Sequence, residues 1–389
     1  MRLPETITGN PGLRQVMAAL APHRALIVGG AVRNALLGER VEDIDIATDA
    51  RPQRVMELAA AAGLRAVPTG IDHGTVTVVA QGEGFEVTTF RRDVETDGRR
   101  AVVEYADRLE DDAARRDFTI NALYAAIDGQ VIDPVGGLDD LAARRLRFVG
   151  DPALRIAEDY LRILRFFRFH ARYGRKGAPD DAALAACAQG AAGLSRISRE
   201  RIGAEMRKLL DSADPVEAVE LMDRTGVMDQ LLPGADLGRL AALVAVEARL
   251  CPPPRDVCGA NMWPLRLAAL GVQGAADRLR LSRDEARVQD ELRFAGSLDE
   301  AAYRLGAERA AQIAVLRAAT GGMPGEGWCD RIGFAAGQKL PIGSAELAGR
   351  LSGPALGRAL KAAETAWIAS GFAMPAPALI DIALLAGAD

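Results

Sequence analysis

The chain is poor in the side chains that build soft-ligand or imidazole metal sites. It has three histidines, His23, His73 and His170, and four cysteines, Cys187, Cys251, Cys258 and Cys329, none spaced as C-x-x-C. That argues against zinc frameworks and C-x-x-C redox motifs, and reads as reduced thiols in a cytoplasmic protein. No uninterrupted apolar run is long enough to span a bilayer, and the opening MRLPETITGNPGL lacks the apolar core of a signal peptide, so no membrane partner is expected. Aromatic residues are only 5% of the chain, and the formal net charge is -5. A protein basic over its whole surface is thereby excluded, though a local basic patch is not. What remains is globular composition, rich in Ala and Arg, in 389 residues, which suffices for more than one domain.

The densest information lies in Gly29 to Thr48, GGAVRNALLGERVEDIDIAT. The apolar run Ala25-Leu26-Ile27-Val28 ends in Gly29-Gly30, a strand entering a tight turn, and Ala31 to Leu37 then spells a short helix closed by Gly38. A glycine turn opening a helix lets backbone N–H groups approach a phosphate. Asp43-Ile44-Asp45-Ile46 follows in strict alternation, so on a strand both carboxylates share one face and both isoleucines the other. Adjacent carboxylates beside a phosphate cradle suit a hard cation such as Mg²⁺. Each motif alone is weak. In this order and spacing they resemble the polymerase-β-like nucleotidyltransferases, which implies in-line displacement of pyrophosphate at a two-metal site.

Up to about Val149 short strands alternate with helices. Thr75–Val79 and Phe85–Phe90, split by Gln81-Gly82-Glu83-Gly84, read as a hairpin, and Val131-Ile132 reads as another strand end. From Asp151 onward the spacing is helical, with breakers at Gly174 to Pro179, Asp214-Pro215, Cys251 to Pro254 and Thr320 to Gly327. The fold class is therefore α+β: a mixed-sheet head over 1–150, a helical neck over 151–213, and a helical body and tail over 214–389.

Two further constellations carry chemistry. Arg115-Arg116-Asp117-Phe118-Thr119-Ile120-Asn121-Ala122 supplies guanidinium groups beside a polar turn, suited to a triphosphate or ribose, or else is a capped helix start. Glu158 to Arg168 reads as a helix opened by Asp151-Pro152, with Tyr160, Leu164, Phe167 and Ala171 forming its core stripe. Asp159 and Arg162 fall three apart on the other half, an acceptor and a donor fork able to read the edge of a base, or simply an ion pair. Phe166 and Phe169 fall on the charged side and are expected to pack against a second helix.

With these motifs in order, the chain resembles the class II (bacterial-type) CCA-adding tRNA nucleotidyltransferases and the related bacterial poly(A) polymerases. The resemblance implies Asp43 and Asp45 as catalytic metal ligands for Mg²⁺, with Glu86 a candidate third carboxylate. It implies nucleotide contacts from Gly29, Gly30, Arg33, Arg116, Asp117, Asn121, Asp159, Arg162, Arg165 and Arg168, the pair Asp159 and Arg162 serving as an amino-acid template for the base. Arg91 to Arg100 matches the family's flexible loop. Asn34 stands where relatives usually carry Asp, which removes a charge from the first motif. The implied partners are CTP, ATP and the 3′ acceptor end of tRNA, gripped by the body and tail. Arg144, Arg145, Arg147, Arg155, Arg162, Arg165, Arg168, Arg172, Arg175 and Lys176, with few acids among them, give the local footprint RNA needs. Alternatives are a poly(A) polymerase, a CC-only or A-only enzyme, and a non-catalytic RNA-binding protein. The neutral to acidic ending, Ile380 to Asp389, speaks against the first, whose members often carry a basic extension.

Overall fold

A computed structural model describes residues 1–96, 101–250 and 254–388, which divide into two compact units, Met1–Leu231 and Leu232–Asp389. The first is built on a seven-stranded mixed sheet in the order β3-β4-β5-β2-β1-β8-β9. Its strands are β1 (Ala25–Val28), β2 (Asp45–Thr48), β3 (Arg65–Gly70), β4 (Thr75–Ala80), β5 (Glu83–Thr89), β8 (Tyr124–Ala125) and β9 (Val131–Ile132). The central strands β1 and β2 are short and apolar, with Leu26, Ile27, Val28, Ile46 and Ala47 all buried. Only the β2–β5 pairing is parallel; it sets Asp45 opposite Glu86 and Ile46 opposite Val87.

The expected hairpin is present but tighter. Ala80 pairs with Glu83, so the turn is Gln81-Gly82 alone, both residues at positive φ (53° and 81°) as a two-residue hairpin turn requires. Along β4 and β5, Val76, Val78, Phe85 and Val87 point into the core while Glu86 is exposed. Arg91 to Arg100 departs from the expected loop: Arg91–Thr96 is a strand, β6, paired antiparallel with β7 (Ala101–Tyr105) in a separate two-stranded ribbon. An Arg92–Glu104 ion pair at 2.7 Å ties the two strands. Residues 97–100 of that segment lie outside the described residues.

The helices that position the site are α1 (Gly30–Leu37), α2 (Leu109–Ala114), α3 (Pro152–Glu158), α4 (Leu161–Tyr173), α5 (Arg199–Leu210) and α6 (Val216–Arg224). Asp151 caps α3 through a 2.9 Å bond from the Leu154 N–H, as the Asp-Pro start anticipates. The helix expected to run through Glu158 to Arg168 is broken. Asp159 is extended (φ −151°, ψ 106°) and separates α3 from α4.

Helix α4 is buried on both faces, and Phe166 and Phe169 do cover its charged side. Their partners, however, are not those expected. Phe166 stacks on Phe148 at 5.9 Å and Phe169 meets Phe118 at 5.3 Å, so this face packs on the polar turn before β8 and on the segment after β9. The aromatic cluster buries the junction between the sheet and the helices beyond it, which is why the two form one unit.

The second unit is helical throughout its described residues. One core gathers Leu243, Met262, Leu265, Ile313 and Trp328; another gathers Leu347, Trp367 and Leu379. Arg266, 1% exposed, is stabilised by a two-pronged bond to Glu247 at 3.1 and 2.7 Å.

Candidate active site

The turn between β1 and α1 needs its first glycine. Gly29 sits at φ 69°, ψ −121°, a region open to glycine alone, and an added Cβ would lie 3.4 Å from Arg116 Nη1. Gly38 closes α1 in the left-handed conformation at φ 70°. The acidic edge lies alongside. Strand β2 begins at Asp45, so Asp43 precedes the strand instead of sharing it. The alternation nevertheless persists in exposure: Asp43 and Asp45 are exposed, Ile44 is half-buried and Ile46 buried. Partial burial first, then the charges of Glu86 and Asp43, raise the Asp45 carboxyl above the ordinary range, while Arg116 opposes them. The neighbouring carboxylates thus add to an effect that burial begins.

Arg116 is held from beneath by a residue the motif reading did not single out. Asp112, on α2 and 1% exposed, accepts from Arg115 through Oδ1 at 2.9 and 2.7 Å and from Arg116 through Oδ2 at 3.3 and 3.0 Å. Tyr124 donates to the same Oδ2 at 2.7 Å and accepts from Arg116 Nε at 2.9 Å. Burial alone would raise the Asp112 carboxyl; Arg116 and Arg115, with the Tyr124 hydroxyl, overcome it and hold it at about 2. Asp117 faces the helices instead. Burial again works against its charge, but Arg165 Nε at 2.8 Å and Asn121 Nδ2 at 3.0 Å keep its carboxyl below the usual range.

Arg33 is turned inward. It is 7% exposed and donates to Asn121 Oδ1, to Asn34 Oδ1 at 2.9 and 3.1 Å, and to Tyr173 Oη at 2.8 Å, its guanidinium lying 4.2 Å from the Tyr173 ring. Burial lowers its pKa. Tyr173 in turn donates to Asn34 Oδ1 at 3.2 Å. Asn34 thus provides the acceptor that this network needs while adding no negative charge. The arrangement ties α1 to the end of α4 and leaves Arg33 little freedom to reach a nucleotide.

The base-reading pair is also built differently from the expected helical turn. Because the helix breaks, Asp159 does not pair with Arg162. Its Oδ1 accepts from the N–H of Leu161, the first residue of α4, at 3.1 Å, and its Oδ2 accepts from Arg201 Nη2 at 2.6 Å. Arg162 binds Glu158 and donates to the Arg155 carbonyl at 2.9 Å. Arg115, Arg116, Asp117, Asp159, Leu161, Arg162, Arg165 and Arg201 together line a cleft of about 290 Å³. Arg168 lies outside it, bonded to Glu205 of α5 at 2.5 Å. The cleft therefore gathers the guanidinium platform of Arg115 and Arg116 with a wall of acceptor and donor groups from Asp159 and Arg162, a setting for a nucleotide.

Comparisons with known proteins identify the family. The sequence profile described as the poly A polymerase head domain matches residues 25–147. A second, described as a probable RNA and SrmB-binding site of polymerase A, matches 178–237. The CCA-adding enzyme of Geobacillus stearothermophilus is 36% identical over 79% of this chain and 77% of its own length. The chain belongs to the class II CCA-adding enzyme and poly(A) polymerase family. The mitochondrial CCA tRNA nucleotidyltransferase 1 of Danio rerio is 40% identical over 67% of this chain, and the match spans 60% of that relative's length. Among solved structures, the Bacillus stearothermophilus CCA-adding enzyme in complex with CTP superposes with a TM-score of 0.72 at 31% identity, covering 93% of this chain and 94% of that one.

Membership of this nucleotidyltransferase family implies use of a divalent metal ion. The oxygen donors of Asp43, Asp45 and Glu86 fit a hard cation, and their mutual repulsion at Asp45 is what such an ion would relieve. Among the described residues no group of three or more His, Cys, Asp or Glu side chains is placed to hold a metal ion by itself. A metal here would therefore draw further oxygens from substrate phosphates and water, as Mg²⁺ commonly does.

The basic stretch is less naked than its sequence suggests. Arg145 and Arg147 pair with buried Asp140, Arg165 with Asp117, Arg168 with Glu205, Arg172 with Glu39 and Lys176 with Asp214. Most of those acids are distant in sequence. Asp112, which the motifs missed, did carry a local signal, sitting three and four residues before the arginines it holds. Arg201 and Tyr173 carried none. No helix among the described residues is long and apolar enough to cross a membrane.

Proposed function

We propose that the protein is a CCA-adding tRNA nucleotidyltransferase, adding CMP, CMP and AMP from CTP and ATP to the 3′ end of tRNA with release of pyrophosphate. The observation that carries this reading is one compact unit holding the Asp45–Glu86 edge, the Arg116 platform and the Asp159–Arg162 wall, the platform and the wall facing one cleft. Asp43 and Asp45, with Glu86, would hold Mg²⁺, which supplies activation of the primer hydroxyl and stabilisation of the leaving pyrophosphate. Gly29 and Gly30 let the backbone approach the triphosphate, and Arg116 opposes its charge. Asp117 and Asn121 position Arg165 and the turn, while Asp159 and Arg162 choose the base by its hydrogen-bonding edge. Arg33 holds the end of α4 through Tyr173, and Arg168 ties α4 to α5 through Glu205.

The reading includes a head at 1–150, a neck at 151–213, and a body and tail at 214–389 that bind tRNA. A cytoplasmic location belongs to it too, supported by the buried thiols Cys187 and Cys258. Supplying tRNA that lacks its 3′ CCA with each nucleoside triphosphate singly and in pairs tests the reading. CTP alone should add two residues, and CTP with ATP should complete CCA and stop. Long A tails from ATP alone on unstructured RNA indicate a poly(A) polymerase, arrest at CC or addition of A only to a CC end indicates a partial enzyme, and no incorporation indicates an RNA-binding protein.

A further inference from the structure

Arg201 lies on α5, 42 residues from the carboxylate that it touches. Its Nη2 meets Asp159 Oδ2 at 2.6 Å, while the Leu161 N–H takes Oδ1 at 3.1 Å. With a fixed partner on each oxygen, the plane of the carboxylate is set. Arg201 also lines the cleft, its side chain 47% exposed.

The alternative partner for Asp159 is close at hand. Arg162 lies three residues on and Arg165 six, both in the same cleft, and Arg165 already feels the Asp159 charge. A carboxylate at a helix break, released from Arg201, would turn onto one of these guanidinium groups. Acceptor and donor would then satisfy each other and neither would face a base. The described geometry avoids this by giving each a different holder: Arg201 for Asp159, Glu158 and the Arg155 carbonyl for Arg162.

We propose that Arg201 is a specificity-determining positioning residue, keeping Asp159 apart from Arg162 so that both present free hydrogen-bonding valences to the incoming base. The inference rests on the reading of Asp159 and Arg162 as the base-reading pair. A guanidinium suits the task, since its fork can bind the carboxylate on one edge and still line the cleft.

The test is single-nucleotide incorporation of CMP, AMP, UMP and GMP on tRNA lacking CCA, or ending in CC, by Arg201→Gln, Arg201→Lys, Asp159→Ala and the Arg201→Gln/Asp159→Ala double variant. Arg201→Gln should lower the kcat/KM preference for C or A over U and G by about tenfold, mainly through a higher KM for the cognate nucleotide. Arg201→Lys should recover part of it, and the double variant should discriminate no worse than Asp159→Ala alone. Full discrimination in Arg201→Gln beside relaxed discrimination in Asp159→Ala overturns the inference and leaves the base-reading pair standing. An equal loss for all four nucleotides in Arg201→Gln overturns it too. Full discrimination in Asp159→Ala removes the base-reading pair itself and the inference with it.

Discussion

Asp112 and Asp159 each hold an arginine that lines the same cleft, yet their surroundings differ sharply. The Asp112 side chain is 1% exposed and closes a network of Arg115, Arg116 and Tyr124, whereas the Asp159 side chain is 29% exposed and its partner Arg201 47%. A carboxylate inside the core cannot lose a partner without leaving a buried charge unpaired. A half-exposed one at a helix break can exchange partners at small cost, because water replaces what it gives up. The contrast matches two tasks. Charge on a triphosphate is the same for every nucleotide and rewards a rigid platform. Base edges differ, and a wall that reads them must present groups not already consumed.

The comparison can be broken at several points. The largest effect should come from the acidic edge that both regions serve: Asp45→Ala should lower incorporation of CMP and AMP alike by roughly a thousandfold or more, the loss of several kcal/mol of transition-state stabilisation. Single-turnover rates at saturating Mg²⁺ check this, with circular dichroism confirming an unchanged fold.

Asp112→Asn should come next and should act on the fold as well as on the rate. Breaking a buried ion pair costs about 3–5 kcal/mol, so the melting temperature should drop by many degrees, and all four nucleotides should be used more slowly in equal proportion. The sign of the pH dependence follows from the depressed carboxyl. Its stabilisation is fully present above the ordinary value of 3.8 and is lost as pH falls towards about 2. Denaturant titrations between pH 5 and pH 2 should therefore show a steeper loss in the wild type than in Asp112→Asn.

Asp159→Ala and Arg162→Ala should move selectivity with little cost in stability. A lost base-edge contact is worth roughly 1–3 kcal/mol of discrimination, so misincorporation of UMP and GMP should rise by about tenfold or more while the melting temperature changes little. The smallest effect should come from Tyr173→Phe. Removing that hydroxyl takes one bond from buried Arg33 and one from Asn34. The expected cost is about 1 kcal/mol of stability, read by thermal melting, with the choice of nucleotide unchanged.

Much of this is legible in the sequence, and the reasons are local. The Gly29 turn, the capped α1, the alternating Asp43–Ile46 segment and the Thr75–Thr89 hairpin depend on neighbours within a few residues, where period and turn chemistry act. The carboxylate of Glu86 was a plausible partner on its strand, and the parallel register places it opposite Asp45. The break at Asp159 was not legible. A continuous run of helix-compatible residues hides it, and the break is stabilised by Arg201, which periodicity cannot see. The Phe166 and Phe169 contacts are hidden in the same way: helical spacing indicates that another surface covers that face, but not that Phe118 and Phe148 help form it. The inward turn of Arg33 likewise depends on Tyr173, 140 residues away.

The most direct test of the division between platform and wall is to measure kcat/KM for CTP, ATP, UTP and GTP in Asp112→Asn and Asp159→Ala, side by side, on the same truncated tRNA. Asp112→Asn should lower all four together and keep their ratios, while Asp159→Ala should compress the ratios. If the two variants give the same profile, the separation of charge binding from base choice is wrong.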